Sequence, residues 1–100
     1  MVELKEHLKQ SRLLVAYFSY PGCSVCRVLL PKVKQITGSC RNCSFVYINT
    51  QEDPETGGQY LVFTAPTIII FVDGKESRRF SRHFSLQDLK DFLKRIEEIL

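Results

Sequence analysis

Nowhere do the 100 residues hold an apolar run near the roughly 18 that a membrane-spanning helix requires, so none is expected. The N-terminal stretch MVELKEHLKQSR lacks the apolar core and small-residue cleavage site of a secretory signal, and the chain is therefore expected in the cytoplasm. Repeats, low-complexity tracts and linkers are missing too. That leaves residues 1–100 as a single domain, long enough to bury a core without staples. Charge of one sign is scarce, with a net charge of only +3. The most basic stretch, KESRRFSRH, holds Lys75, Arg78, Arg79, Arg82 and His83. Charges at that density suit an exposed edge strand that must deter sheet-to-sheet association. Neither nucleic acid nor a membrane is an expected partner.

What is present divides cleanly into elements. Residues 2–11 read as a short amphipathic helix with Val2, Leu4 and Leu8 as apolar contacts. LLVAYFS at 13–19 is a continuous run of strand formers, as in a strand buried on both faces. Pro21 and Gly22 break it. From Cys23 a helix is predicted to about Thr37, with Val25, Val28, Leu29, Val33 and Ile36 on one side and Gly38 as a left-handed terminator. SFVYINT at 44–50 is the next strand, parallel to the first.

The second half opens with a turn at Asp53-Pro54 and a short helix weakened by glycine. A hairpin follows, with strand 67–72, an Asp73-Gly74 turn and strand 75–83. Ser85 with Asp88 signals a last helix, striped by Leu86, Leu89, Phe92, Leu93, Ile96 and Leu100. The fold class is α/β, a four-stranded mixed sheet flanked by helices on both faces. A helix that starts just beyond the first strand puts Cys23 past a strand's carboxyl end, where open α/β sheets carry their sites.

The chemistry lies with cysteine. Cys23 and Cys26 are either a redox pair, half of a metal site, or two buried small residues. A thiol at a helix N-terminus meets unpaired N–H groups and the positive end of the helix dipole, which favours its thiolate. Cys26, one turn on, is within disulfide reach. The two can then exchange thiols with a disulfide, Cys23 attacking and Cys26 resolving, with Ser24 positioned to add a hydroxyl hydrogen bond. A second pair, Cys40 and Cys43, completes the spacing of a four-cysteine zinc pattern. Geometry argues against it, since a helix over 24–37 holds the pairs roughly 20 Å apart at ~1.5 Å per residue. Cys40 and Cys43 read as two free thiols or a local regulatory disulfide.

CSVCRVLLP resembles the active-site helix of thioredoxins, a CxxC pair followed by a proline, here Pro31, that kinks the helix. TAPTIIIFVDGKE resembles the family's second landmark, a cis-proline loop leading into a hairpin. The resemblance implies a thioredoxin fold without the extra N-terminal strand, and a protein-disulfide oxidoreductase in cell redox homeostasis and electron transport. It implies Cys23 and Cys26 as catalytic residues. It further implies Pro66 as the cis-proline, and Ala65, Pro66 and Thr67 with Gly22 and Tyr20 as the substrate surface. No metal or organic cofactor is implied; the dithiol itself carries electrons. Expected partners are protein disulfides and a reductase or dithiol donor, with the protein a monomer.

The departures from the family are specific. Gly22 stands where a tryptophan usually precedes the first cysteine, and the chain has no tryptophan at all. The buried acid is replaced by Ala16 or Tyr17, and its lysine partner by Tyr47. Ser24-Val25 replaces the usual Gly-Pro. These losses motivate an alternative, a binding module of the same fold with vestigial redox activity. Glutathione use of the glutaredoxin kind is disfavoured by Pro31. His7 and His83 read as surface residues, and Gln51, Glu52 and Asp53 as a solvated turn.

Overall fold

The computed structural model describes residues 4–81 and 84–100. The expected contact of Val2 and the placement of Arg82 and His83 lie outside them. The element order is α1 (Leu4–Gln10), β1 (Leu13–Ser19), α2 (Ser24–Gly38), β2 (Cys43–Asn49), α3 (Pro54–Gln59), β3 (Thr67–Val72), β4 (Lys75–Ser81) and α4 (Leu86–Ile99). The four strands form one sheet in the order β2-β1-β3-β4. β1 runs parallel to β2 and antiparallel to β3, and β3 and β4 are the hairpin.

β1 explains the sheet's two-sided core. Every residue of it is buried, and successive side chains point to opposite faces. Leu13, Val15 and Tyr17 join Ile68, Ile70, Phe80, Leu89 and Leu93 on one face, beneath α2 and α4. Leu14, Ala16 and Phe18 join Val46, Ile48, Ile69 and Phe71 on the other, beneath Leu4 and Leu8 of α1 and Tyr60 after α3. Full burial of each large apolar side chain contributes about 1.5–3 kcal/mol. His7 is half-buried rather than a surface residue, with its Nε2 enclosed.

Three local expectations need correction. The apolar face of α2 is not the stripe through Val25 and Val28, which are 56% and 60% exposed. Cys26, Val33 and Thr37 are buried instead, with Leu29, Leu30 and Ile36 packed beside them. At 3.6 residues per turn, Cys26, Leu30, Val33 and Thr37 align on the sheet side, while Val28 is rotated well away from it. Gly38 does not end α2 in the left-handed region. The helix closes through Ser39 at φ −85, whose N–H donates to the carbonyls of Gln35 and Ile36, and the left-handed residue is Asn42 at φ 57. Strand β2 also begins one residue early, at Cys43.

The remaining turns follow their residues. Asp73 and Gly74 both take positive φ, 51 and 82, the pattern of a tight hairpin turn. Asp53 caps α3 through Thr56, and Ser85 caps α4 through Gln87 and Asp88. β4 is an edge strand with Lys75, Glu76 and Arg78 exposed. Its arginines also have structural tasks. Arg78 lies over the rings of Phe80 and Phe92, and Arg79 bridges Glu76 and donates to the carbonyls of Tyr60 and Leu61.

Candidate active site

The end of β1 and the start of α2 build the site. Ser19 ends the strand, and the chain reverses through Tyr20, Pro21 and Gly22, with the Cys23 N–H donating to the Tyr20 carbonyl at 3.1 Å. A side chain at Gly22 would meet the Tyr20 ring, which itself packs against the core beside the cysteines. Cys23 is the N-cap of α2, and its Sγ accepts a hydrogen bond from the Cys26 N–H at 3.2 Å. Cys23 and Cys26 are joined in a disulfide, with Cα atoms 5.2 Å apart. Ser24 is exposed; the sulfur's donor is the Cys26 backbone rather than a Ser24 hydroxyl.

Two further properties favour negative charge on Cys23 Sγ once the disulfide is opened. The first turn of α2 holds no acidic residue that would repel it. The unpaired N–H groups of that turn and the helix dipole attract it. Cys23 retains 8% of its exposure and Cys26 only 2%, so the N-cap sulfur is the one nearer solvent. Pro31 lies inside α2, as expected, and removes one N–H from the helix ladder.

Behind the cysteines, Tyr17 rather than Ala16 faces α2; Ala16 belongs to the opposite side of the sheet. The Tyr17 hydroxyl donates to the Cys26 carbonyl at 2.9 Å. Its ring stacks on Tyr47, its register partner in β2, with centroids 6.1 Å apart. Burial, and then the neighbouring Tyr47, pushes the Tyr17 phenol up to about 12. A neutral hydroxyl therefore occupies the position behind the second cysteine.

The loop before β3 completes the same end of the sheet. Thr67 pairs with Phe18 in the register of β3 on β1, one residue before β1 ends. The Ala65–Pro66 bond is cis. Ala65 packs against the core cluster that contains Cys23 and Cys26. Thr67 is buried, and its hydroxyl donates to the Thr64 carbonyl at 2.6 Å, holding the loop rather than facing solvent. Sequence reading missed Leu61 and Phe63, 65% and 81% exposed on the segment leading into this loop. An apolar residue between two elements carries no periodic signal, so nothing in the sequence marked them as outward-facing.

Cys40 and Cys43 lie at the opposite end of α2 as free, half-buried thiols. Among the described residues no group of three or more His, Cys, Asp or Glu side chains is arranged to hold a metal ion. None of the described helices is long and apolar enough to cross a membrane.

The thioredoxin family model matches residues 2–95. The chain belongs to the thioredoxin family. Its relatives include a thioredoxin-like protein of Bacillus subtilis, YdfQ, 32% identical over 96% of this chain and 86% of that protein. Thioredoxin 1 of Thermosipho africanus superposes with a TM-score of 0.81 at 36% identity, over 86% of this chain and 96% of that one. A mutant thioredoxin of Halobacterium salinarum gives 0.85 over 95% of this chain and 83% of that one, a likeness of fold alone at 22% identity. Thioredoxin membership and a CxxC pair already bonded as a disulfide make this chain a thiol–disulfide oxidoreductase acting on protein disulfides. Its redox group is its own dithiol.

Proposed function

We propose that the chain works chiefly as a disulfide reductase, with Cys23 as the attacking thiol and Cys26 as the resolving one. The Cys23 thiolate attacks one sulfur of a substrate disulfide, forming a mixed disulfide and expelling the other sulfur as a thiolate. Cys26 loses its proton, attacks Cys23 Sγ and expels the second substrate thiolate, closing the Cys23–Cys26 bond. Two electrons pass to the substrate, and a reductase or partner dithiol returns them. The observation that carries the assignment of roles is the N-cap position of Cys23, where the Cys26 N–H already donates to its sulfur. The deeper burial of Cys26 supports the resolving role, since an intramolecular attack needs no exposure.

Ala65 and Pro66 present the substrate platform in this reading, with Gly22 and Tyr20 beside it. Thr67 acts on the platform from below by fixing the loop through Thr64. A peptide lying extended along Ala65 gains main-chain hydrogen bonds, as in β-strand addition. Phe63 and Leu61 add apolar surface for its side chains. The protein acts as a monomer and a single domain, supporting redox homeostasis and electron transport. Two unpaired thiols outside the site suit a reducing compartment such as the cytoplasm.

Turnover of a protein disulfide with a dithiol donor tests the roles. Cys23→Ser abolishes reduction, whereas Cys26→Ser accumulates a mixed disulfide between Cys23 and substrate. Full activity in Cys23→Ser, or mixed disulfides trapped on Cys26 in its place, would overturn the assignment.

A further inference from the structure

Cys40 and Cys43 flank the reversal between α2 and β2. The chain turns through Arg41 and Asn42, the latter at φ 57, so the two cysteines stand at either end of a two-residue turn, the Cys40 thiol donating to the Arg41 carbonyl at 3.7 Å and the Cys43 thiol to the Ser44 carbonyl at 3.9 Å. Cys40 also lines a cleft of about 560 Å³ between α2 and α4, together with Lys32, Leu86, Lys90, Lys94 and Glu97. Three ammonium groups against one carboxylate make the cleft electropositive. Ile36, Leu86 and Leu93 give it an apolar wall. The Glu97 carboxylate accepts from the Arg41 N–H at 3.1 Å and lines the same cleft as Cys40.

We propose that Cys40 and Cys43 are a second redox pair, closed to a disulfide by small anionic disulfides that enter the lysine-lined cleft beside Cys40. A peptide disulfide bearing carboxylates, such as oxidised glutathione, represents the class. Cys40 gives its proton to water, and its thiolate attacks one sulfur of the ligand. A mixed disulfide forms and one ligand thiolate leaves. Cys43 then loses its proton, attacks Cys40 Sγ and expels the second ligand thiolate. One disulfide is consumed and one formed, and the protein yields two electrons and two protons.

The environment makes this pair slow, in contrast to Cys23. Burial pushes both thiols up, and the Glu97 charge adds to that at each. Less thiolate means slower attack, and thiols of high pKa are poor leaving groups, so the closed disulfide also reopens slowly. Such a pair holds a state instead of turning over. Closure ties the end of α2 covalently to the start of β2.

The proposal stands apart from the Cys23–Cys26 chemistry, and its test removes that pair. The reduced Cys23→Ser/Cys26→Ser protein is incubated with oxidised glutathione and weighed intact. The expected product is lighter by two hydrogens. Trypsin cleavage after Arg41 then yields fragments that stay joined until a reductant is added. At low salt Lys32→Glu/Lys94→Glu slows closure by oxidised glutathione about tenfold more than closure by neutral 2-hydroxyethyl disulfide, which feels only the change at the thiol and not the loss of attraction for an anion. Glu97→Gln speeds closure by either disulfide, because a negative charge beside the attacking sulfur is gone. Should the double serine variant fold poorly, wild type serves, losing four hydrogens on full oxidation in place of two. A glutathione adduct persisting on Cys40, two thiols left unreacted, or lysine reversal acting equally on both disulfides would overturn the proposal.

Discussion

Replacing Tyr17 by phenylalanine removes one oxygen from a fully buried ring and tests what stands behind the second cysteine. That oxygen donates to the Cys26 carbonyl at 2.9 Å. The carbonyl keeps its place in the α2 ladder, so the variant loses one buried neutral hydrogen bond without leaving the acceptor wholly unpaired. The expected cost is about 1 kcal/mol. In a domain of this size that lowers Tm by about 4–8 °C, read by thermal melts followed by circular dichroism.

The pH dependence of that difference carries the sign. The Tyr17 phenol ionises at about 12 in the folded protein, against an ordinary 10.0. Between those values the folded state binds more protons than the unfolded one, so stability falls as pH rises. The full loss is about 2–3 kcal/mol. Tyr17→Phe has no such proton. The Tm gap between wild type and variant therefore stays level from pH 5 to 9 and narrows above about pH 10. An unchanged Tm at neutral pH, or a gap that widens in alkali, would refute the reasoning.

Leu61 holds φ 56, a conformation that costs a branched side chain about 1 kcal/mol, so Leu61→Gly raises stability by about 0.5–1 kcal/mol in urea titrations. Arg79→Ala loses the bonds to the Tyr60 and Leu61 carbonyls and costs about 1–2 kcal/mol in the same titration. Arg79→Lys recovers little of it, because an ammonium cannot reach both carbonyls and Glu76 from one planar fork. Leu93→Ala removes a core side chain and costs about 2–5 kcal/mol, whereas Val28→Ser on the exposed side of α2 changes stability by less than about 0.5 kcal/mol.

Elements with a strong local signature are legible in the sequence itself. The continuous run 13–19, the Asp73-Gly74 turn, strand 67–72 and the Ser85 cap all lie where the sequence put them, because each rests on a chemistry that neighbours within a few residues complete. The cysteine pair at the head of α2 was legible for the same reason, through the Pro-Gly break and the cap position. The face of α2 was not. Valines at 25 and 28 fit an apolar period, but which side meets the sheet depends on where β1 ends, a tertiary fact. The end of the same helix misled in a similar way, since Gly38 permits a left-handed turn without requiring one.

The choice between Ala16 and Tyr17 needed the sheet, because strand alternation sends neighbours to opposite faces and the sequence does not say which face carries α2. The nearness of Cys40 to the lysines of α4 was likewise beyond reach, since residues 40 and 94 meet only once the helices pack.

Disulfide exchange here depends on the N-terminus of α2 holding Cys23 as a thiolate near neutrality. The direct measurement is the pH dependence of iodoacetamide alkylation of Cys23 in the reduced Cys40→Ser/Cys43→Ser protein, with the modified residue identified by mass. The expected midpoint lies below the ~8.5 of a free cysteine, with Cys26 reacting later. A midpoint at or above that of free cysteine, or Cys26 reacting first, would contradict it.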